Sequence, residues 1–253
     1  MLPKQKVLDY LHGPFKDIAG WCSPNNWQII WPIAVFQEAA GIKNPVAEIG
    51  VFQGKFFIGL VATKGAVRNY AIDVFDMQEF NLDGAGLGNL EALQKNLAKS
   101  EIPGDSVEFL RADSLTITDK DISDIRAKTG GISLFSVDGC HLPEHTINDI
   151  RLAMALTVPQ GLIFVDDFTN PHWPGVIEGV AKLYFNEYPR FVPVAFGHNK
   201  LFLCHLSYHK TFLGLIIESL ERSNITYKIV KRFGYENVSV NLDPTSIDYL
   251  PND

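Results

Sequence analysis

Short apolar segments alternate with segments of helical periodicity through the middle of this 253-residue chain. The segments with the length and composition of buried strands are residues 45–50, 68–75, 106–114, 132–138 and 161–167. Such alternation is typical of a parallel sheet covered by helices. Two further apolar runs flank Gly197, His198 and Asn199, which predicts a hairpin with Gly197 or Asn199 at a positive φ angle. We therefore predict an α/β fold: seven strands, mostly parallel, a terminal antiparallel hairpin, and helices on both faces.

The two ends of the chain differ from this middle part. Residues 1–44 include Trp21, Trp27 and Trp31 in an amphipathic stretch broken by Pro and Asn. We predict that 1–44 form a helical cap, with a lid or a wall of the substrate pocket as the alternative. The central domain is expected over 45–208, and 209–253 are expected to add a helix and a strand packed on it.

Composition limits the kind of partner. Hydrophobic residues make up 46% of the chain, enough for a large core, but no apolar run is long enough to cross a membrane. The N-terminus is too charged for a secretory signal, and the three cysteines have no metal-ligand spacing. A net charge of −7 argues against nucleic acid. We expect a cytoplasmic protein that acts on a small molecule, with neither nucleic acid nor membrane as a partner; homo-oligomerisation is left open.

A glycine turn joins the first predicted strand to the next helix. The segment EIGVFQG places Glu48, Gly50 and Gly54 between the two elements. Dinucleotide-binding turns need a second glycine at position 52, where the backbone approaches a pyrophosphate. Phe52 occupies that position. This disfavours a nicotinamide-dependent oxidoreductase and favours a nucleoside ligand without phosphates.

Two further strands end in acidic residues above the same turn. A carboxylate at Asp73 can accept hydrogen bonds from both hydroxyls of a ribose, and Asp113 with Ser114 can meet an adenine amino group. Each acid alone could also cap the following helix. Three consecutive strands that each carry an acid at this edge indicate a nucleoside site.

With these motifs, residues 45–205 resemble the class I S-adenosylmethionine-dependent methyltransferases. The resemblance implies a Rossmann-like fold and S-adenosylmethionine as cofactor. It places Glu48, Gly50 and Gly54 on the methionine and ribose side, Asp73 at the ribose and Asp113 at the adenine. The predicted cofactor-binding set is Glu48, Gly50, Phe52, Gly54, Asp73, Asp113 and Ser114.

Three carboxylates end the fourth and fifth predicted strands. Asp138 follows ISLFSV, and Asp166 and Asp167 follow GLIFV. With no Lys or Arg nearby in sequence, these acids would repel one another and raise one another's pKa. A hard divalent cation relieves the repulsion, and oxygen ligands suit Mg²⁺. We therefore predict a site for Mg²⁺, or another divalent cation, at Asp138, Asp166 and Asp167.

This constellation resembles the metal-dependent branch that contains macrocin-type and mycinamicin-type O-methyltransferases. The segments PGV (174–176) and HNKLFL (198–203) are similar to that branch as well. The resemblance implies that His141, three residues after Asp138, is the catalytic base. The alternative is that His141 only caps or packs on the following helix.

Two rival motifs overlap this segment. HLPEH (141–145) fits the H-x-x-E-H pattern of some zinc peptidases, but Pro143 would place His141 before the helix and separate the two histidines. Cys140 beside His141 could form a nucleophile and base, although adjacent residues rarely align for this.

Together these features predict an S-adenosylmethionine-dependent O-methyltransferase. It would transfer a methyl group, with the help of Mg²⁺, to a hydroxyl of a sugar, polyketide or phenolic diol. The alternatives are a hydroxylase-like enzyme on the same domain, since cephalosporin hydroxylase-like proteins share it, and a non-catalytic subunit that binds S-adenosylmethionine.

Overall fold

The structure, a computed structural model, describes residues 4–65 and 68–240. Its helices are α1 (Lys4–His12), α2 (Pro14–Asp17), α3 (Trp27–Ala39), α4 (Lys55–Lys64), α5 (Leu90–Lys99), α6 (Asp119–Thr129), α7 (Pro143–Leu156), α8 (Pro174–Asn186) and α9 (His209–Arg222). Its strands are β1 (Val46–Ile49), β2 (Asn69–Asp73), β3 (Val107–Arg111), β4 (Ile132–Val137), β5 (Thr157–Val165), β6 (Phe191–Gly197), β7 (Lys200–His205), β8 (Tyr227–Arg232) and β9 (Tyr235–Val240).

All the strands of the described residues belong to one sheet with the order β3-β2-β1-β4-β5-β7-β6-β9-β8. Strands β1 to β5 pair in parallel, and β7 runs antiparallel to both β5 and β6. Every residue of β1, β2 and β4 is buried. Parallel strands covered on both faces have this continuous apolar character.

The two faces of the sheet carry separate hydrophobic cores, because side chains alternate along each strand. On one face, Val46 and Leu134 belong to a core that includes Trp27 of α3 and Phe57 of α4. The opposite face contributes residues such as Phe135 to a core with α7 and α8. The N-terminal helices therefore share a core with the sheet. No helix among the described residues is both long and apolar enough to span a membrane.

The predicted α/β fold is confirmed, but the sheet has nine strands rather than seven. After α9 the chain forms a hairpin, β8 and β9, and β9 pairs in parallel with β6. We expected a single strand in this region because β8, with the sequence YKIVKR, is an edge strand with only partly buried or exposed residues. The predicted segments 1–44 and 209–253 lie partly outside the described residues, at 1–3 and 241–253.

Candidate active site

A cavity of about 900 Å³ opens at the carboxyl ends of the parallel strands. Ligands of open α/β sheets bind at this edge, and small-molecule sites have volumes of roughly 300–1,000 Å³. The residues predicted from sequence that line the cavity are Glu48, Gly50, Phe52, Asp73, Asp113, Ser114, Asp138, His141, Asp166 and Asp167. Gly54 is not among its lining residues.

Glycine is needed at positions 50 and 54 of the turn for different structural reasons. Gly50 has a φ of 78°, and a Cβ atom there would stand 1.7 Å from the carbonyl oxygen of Asp138. Glycine is thus required for the ends of β1 and β4 to approach each other, a packing reason that the sequence analysis did not foresee. Gly54, with a φ of 89°, is the N-cap residue of α4, where a Cβ would collide with Leu93.

Phe52 connects the turn to the rim of the cavity. It has a φ of 52°, and its backbone N–H donates to Asp73 Oδ2 at 2.8 Å. Its ring stacks on Trp21, with 5.8 Å between the ring centroids. Trp21 also lines the cavity and is 81% exposed. The N-terminal segment therefore contributes an aromatic wall at the cavity mouth.

Asp73 lies under the segment that joins β2 to α5. Its Oδ1 accepts a hydrogen bond from the N–H of Phe75 at 2.6 Å, in addition to the one at Oδ2 from Phe52. Burial raises the pKa of this carboxyl group, against the effect of these backbone donors. A carboxylate can accept about four hydrogen bonds, so capacity for ribose hydroxyls remains.

After β3, Asp113 caps the following helix, which the sequence analysis gave as the alternative to binding a ligand. Its Oδ1 accepts from the N–H of Leu115 at 3.0 Å and so caps the short 3₁₀ helix Ser114–Thr116. Both Asp113 and Ser114 nevertheless line the cavity. Capping and contact with a ligand are compatible here, because a carboxylate has further acceptor sites.

A buried lysine lies next to the acid pair. The side chain of Lys200, 1% exposed, forms an ion pair with Asp166 Oδ2, and its Nζ lies 4.4 Å from the centroid of the Phe56 ring. Lys200 is 34 residues away from Asp166 in the chain, so the sequence around these acids shows no neighbouring cation. Burial raises the pKa of nearby Glu48 to about 8, although Lys200 opposes this.

The acid pair leaves the sheet through an unusual backbone angle. Asp167 has a φ of 54°, so the chain turns out of the sheet directly after Asp166. Asn199 holds this turn: its Nδ2 donates to Asp167 Oδ1 at 2.6 Å, and its carbonyl oxygen accepts from the N–H of Phe168. Both carboxylates therefore reach the cavity, but they have different partners.

The structure brings together Asp138, His141 and Asp167, whose ligand atoms lie within 4.8 Å of one another. Burial, and then the charge of Asp166, raises the pKa of Asp138. Asp166, which the sequence analysis grouped with Asp138 and Asp167, is instead paired with Lys200. Its role as a metal ligand stays a prediction, and His141 is the third member of the cluster.

His141 is held between two carboxylates. Its Nδ1 lies 2.6 Å from Asp83 Oδ2, and its Nε2 lies 3.0 Å from Asp167 Oδ2. Burial lowers the pKa of His141, but the close contacts with Asp167 and Asp83 and the charges of both carboxylates outweigh burial and raise it to about 9. Asp83 could not be predicted from the sequence, because its position in a loop gives no periodic or motif signal.

The rival motifs find no support in this geometry. His141 precedes α7 while His145 lies within it, and His145 is not part of the cluster. Burial raises the pKa of Cys140 to about 11, which disfavours the thiolate that a cysteine nucleophile needs.

The donor atoms of the cluster fit a divalent cation. Asp138 and Asp167 offer carboxylate oxygens, the ligands of Mg²⁺. Nε2 of His141 is buried and makes no hydrogen bond of good geometry within the described residues. A buried polar atom without such a partner is costly, and the oxygen of a bound ligand would satisfy it.

The order of the strands and the position of the cavity define a methyltransferase fold of class I, and residues 47–168 match the family model described as a methyltransferase domain. This match covers just under half of the chain and agrees with the methyltransferase fold that the sequence predicts. A search of curated proteins gives no match.

Two solved structures show the same fold. The O-methyltransferase NovP superposes with a TM-score of 0.56 and 13% identity, over 72% of this chain and 79% of NovP. The calicheamicin methyltransferase CalS11 gives a TM-score of 0.51 and 15% identity, over 70% of this chain and 77% of CalS11. At such low identity the likeness concerns the fold.

Proposed function

We propose that this protein transfers a methyl group from S-adenosylmethionine to a hydroxyl group of a small molecule, with the help of Mg²⁺. One observation carries the proposal: the residues predicted for the cofactor and the cluster of Asp138, His141 and Asp167 line the same cavity. The folds of NovP and CalS11, two enzymes named as methyltransferases, are consistent with it. A sugar, polyketide or phenolic diol is the proposed class of acceptor.

On the cofactor side, Asp73 would accept the ribose hydroxyls. Gly50 and Phe52 would shape the turn below the methionine and ribose, and Asp113 with Ser114 would meet the adenine. A bulky Phe52 where dinucleotide-binding turns carry glycine disfavours a pyrophosphate, so a methyl donor without phosphates suits the cavity better than a dinucleotide.

On the acceptor side, Asp138 and Asp167 are the proposed carboxylate ligands of the cation, since Asp166 is paired with Lys200. A bound Mg²⁺ supplies positive charge that lowers the pKa of an acceptor hydroxyl and of a neighbouring imidazole. Binding the acceptor and the methyl donor side by side also raises the rate, because it makes a bimolecular step effectively unimolecular.

His141 is the proposed proton acceptor. In the reaction the acceptor oxygen forms a bond to the methyl carbon while the bond from that carbon to sulfur breaks, which leaves S-adenosylhomocysteine. The hydroxyl proton passes to Nε2 of His141, the ring nitrogen that faces Asp167. Imidazole is the side chain most often used for such transfers.

The test is transfer of a labelled methyl group. The purified protein is incubated with methyl-labelled S-adenosylmethionine, Mg²⁺ and a panel of sugar, polyketide and phenolic diols, and the products are weighed by mass spectrometry. We expect a labelled product heavier by one methyl group, no product after treatment with EDTA, and recovery with added Mg²⁺.

Activity that survives exhaustive chelation would contradict the role of the cation. A product heavier by one oxygen would instead identify a hydroxylase. Binding of S-adenosylhomocysteine without turnover of any acceptor in the panel would favour a non-catalytic subunit.

A further inference from the structure

The segment between β2 and α5 supplies a carboxylate to the site that neither the family match nor the sequence analysis assigns. Asp83 lies in this segment, at residues 74–89, and its side chain is 6% exposed. Its Oδ2 accepts the backbone N–H of His141 at 2.8 Å and lies 2.6 Å from Nδ1 of the same residue. One oxygen thus contacts His141 at two points, on the backbone and on the ring.

Two contacts of this kind restrict both the position and the rotation of the imidazole. A third restriction comes from Trp173, whose ring stacks on that of His141 with centroids 4.4 Å apart and planes at 15°. With Nδ1 directed at Asp83, the only ring nitrogen left for chemistry is Nε2, and it lies 3.0 Å from Asp167 Oδ2.

The segment is built to present Asp83 in one position. Asp83 Oδ1 accepts the N–H of Ala85 at 2.9 Å. The side chain of Asn81 donates to the carbonyl oxygens of Ala85 and Gly86 at 3.1 and 3.0 Å. These bonds within the loop help to fix the position of the Asp83 carboxylate.

We propose that Asp83 is a positioning residue: it accepts the Nδ1–H of His141 and thereby holds Nε2 on the cavity side of the ring, next to Asp138 and Asp167, where an acceptor hydroxyl would lie. The inference rests on the proposed function, in which His141 Nε2 accepts a proton. The physical basis is general, because the partner of one ring nitrogen decides which tautomer a histidine adopts and which nitrogen remains an acceptor.

The same segment reaches the cofactor side of the cavity. A Cβ at Gly88 would stand 2.5 Å from Asp73 Oδ1, so the loop passes directly over the proposed ribose acid. Asp83 and Gly88 therefore lie on one short stretch of chain between the imidazole and the cofactor residues. Loss of the Asp83 contact should act on the imidazole first and leave Asp73 in place.

The first measurement is proton NMR of the ring N–H of His141. Because the His141 ring is mostly buried and its hydrogen bond to Asp83 is 2.6 Å long, the ring N–H should exchange slowly and resonate far downfield. The signal is assigned to His141 by its absence from the His141→Gln variant. In Asp83→Ala the signal should be lost, and in Asp83→Asn, which keeps the volume, it should be lost or move upfield. Glu79→Gln, an exposed change in the same segment, is the control and should keep it.

The second measurement separates kcat from KM. Both Asp83 variants should lower kcat by roughly 10–100-fold, the usual cost of losing the partner of a functional histidine. The KM for S-adenosylmethionine should stay within about threefold, because Asp83 supports the imidazole and not the cofactor. The isosteric variant Asp83→Asn tests the tautomer of His141, because its amide N–H can donate to Nδ1 and leave the ring proton on Nε2. Nε2 could then no longer accept a proton, and kcat would fall although the shape of the site is kept.

An unchanged downfield signal in both Asp83 variants, or a kcat within about twofold of wild type, would overturn the proposal. A fall in kcat of the same size in Glu79→Gln would also contradict it, since the effect would then belong to the segment as a whole. If the signal depends on Asp83 while the wild-type protein methylates no acceptor, the positioning role stands and the proposed function fails.

Discussion

Lys200 determines what the acid pair at the end of β5 can do. Its ammonium group is buried between Asp166 and the ring of Phe56, and further acids, Asp138 and Glu48, interact with it electrostatically. Burying a charged group away from water costs free energy, and pairing with an opposite charge offsets that cost. The pair therefore removes Asp166 from the set of free carboxylates and leaves Asp138 and Asp167 for a ligand.

Breaking this pair from one side should cost stability. Lys200→Met leaves Asp166 buried without its partner, and we expect a loss of about 3–5 kcal/mol in the free energy of unfolding. The double variant Lys200→Met/Asp166→Asn should recover a large part of the loss, because the carboxylate in direct contact with the lysine is then no longer charged. Urea denaturation measures both values.

The control is Lys182→Met, which breaks an exposed ion pair with Glu178 on α8 and should leave the unfolding midpoint close to that of wild type. An equal loss in the single and double variants would show that packing of the lysine chain, and not its charge, is what matters.

At the residue scale the sequence predicted the lining of the cavity better than the contacts within it. Asp138 and Asp167 could be found because strand-end acids in a parallel sheet converge at one edge, and His141 through the resemblance to the metal-dependent O-methyltransferases. Lys200 and Asp83 could not, since each reaches the cluster from a distant hairpin or loop. Long-range contacts of this kind leave no periodic signal in the chain.

At the scale of elements, the hairpin of β6 and β7 supports the site. Its turn contains His198 and Asn199, with φ angles of 48° and 67°. We predicted Gly197 or Asn199 for the positive angle; Asn199 has it, whereas Gly197 ends β6 in an extended pairing with Lys200. Asn199 then holds the turn at Asp167, so this hairpin aligns the acid that faces His141.

The hairpin should also make stability depend on pH. Burial lowers the pKa of His198 to about 4, whereas an unfolded histidine has a pKa of about 6.5. Between these values the unfolded chain binds more protons, so the stability that His198 contributes is present above about pH 6.5 and is lost as the pH falls towards 4.

His198→Asn should flatten this dependence, and asparagine tolerates the left-handed backbone angle. Thermal unfolding of wild type and variant from pH 4 to pH 7 makes the comparison. His172→Asn removes an exposed histidine and should keep the wild-type slope. A variant with the wild-type slope would show that other groups cause the pH dependence.

At the scale of the whole molecule, the sheet order explains why one cavity collects residues from so many segments. The central strands run in parallel, so the acids at the carboxyl ends of β1, β2, β4 and β5 reach the same edge. The sequence predicted this part because buried parallel strands are continuously apolar. It missed the hairpin β8–β9, because an edge strand of partly exposed residues lacks that pattern.

Binding of S-adenosylhomocysteine tests the central claim, that this edge of the sheet is a nucleoside site for the methyl donor. Isothermal titration calorimetry should give one site per chain for the wild-type protein and for Asp105→Asn, an exposed control. Asp73→Asn should bind roughly 10–100-fold more weakly, since hydrogen bonds to a charged group contribute about 1.5–3 kcal/mol. Absence of binding to the wild-type protein, or wild-type affinity in Asp73→Asn, would contradict the account.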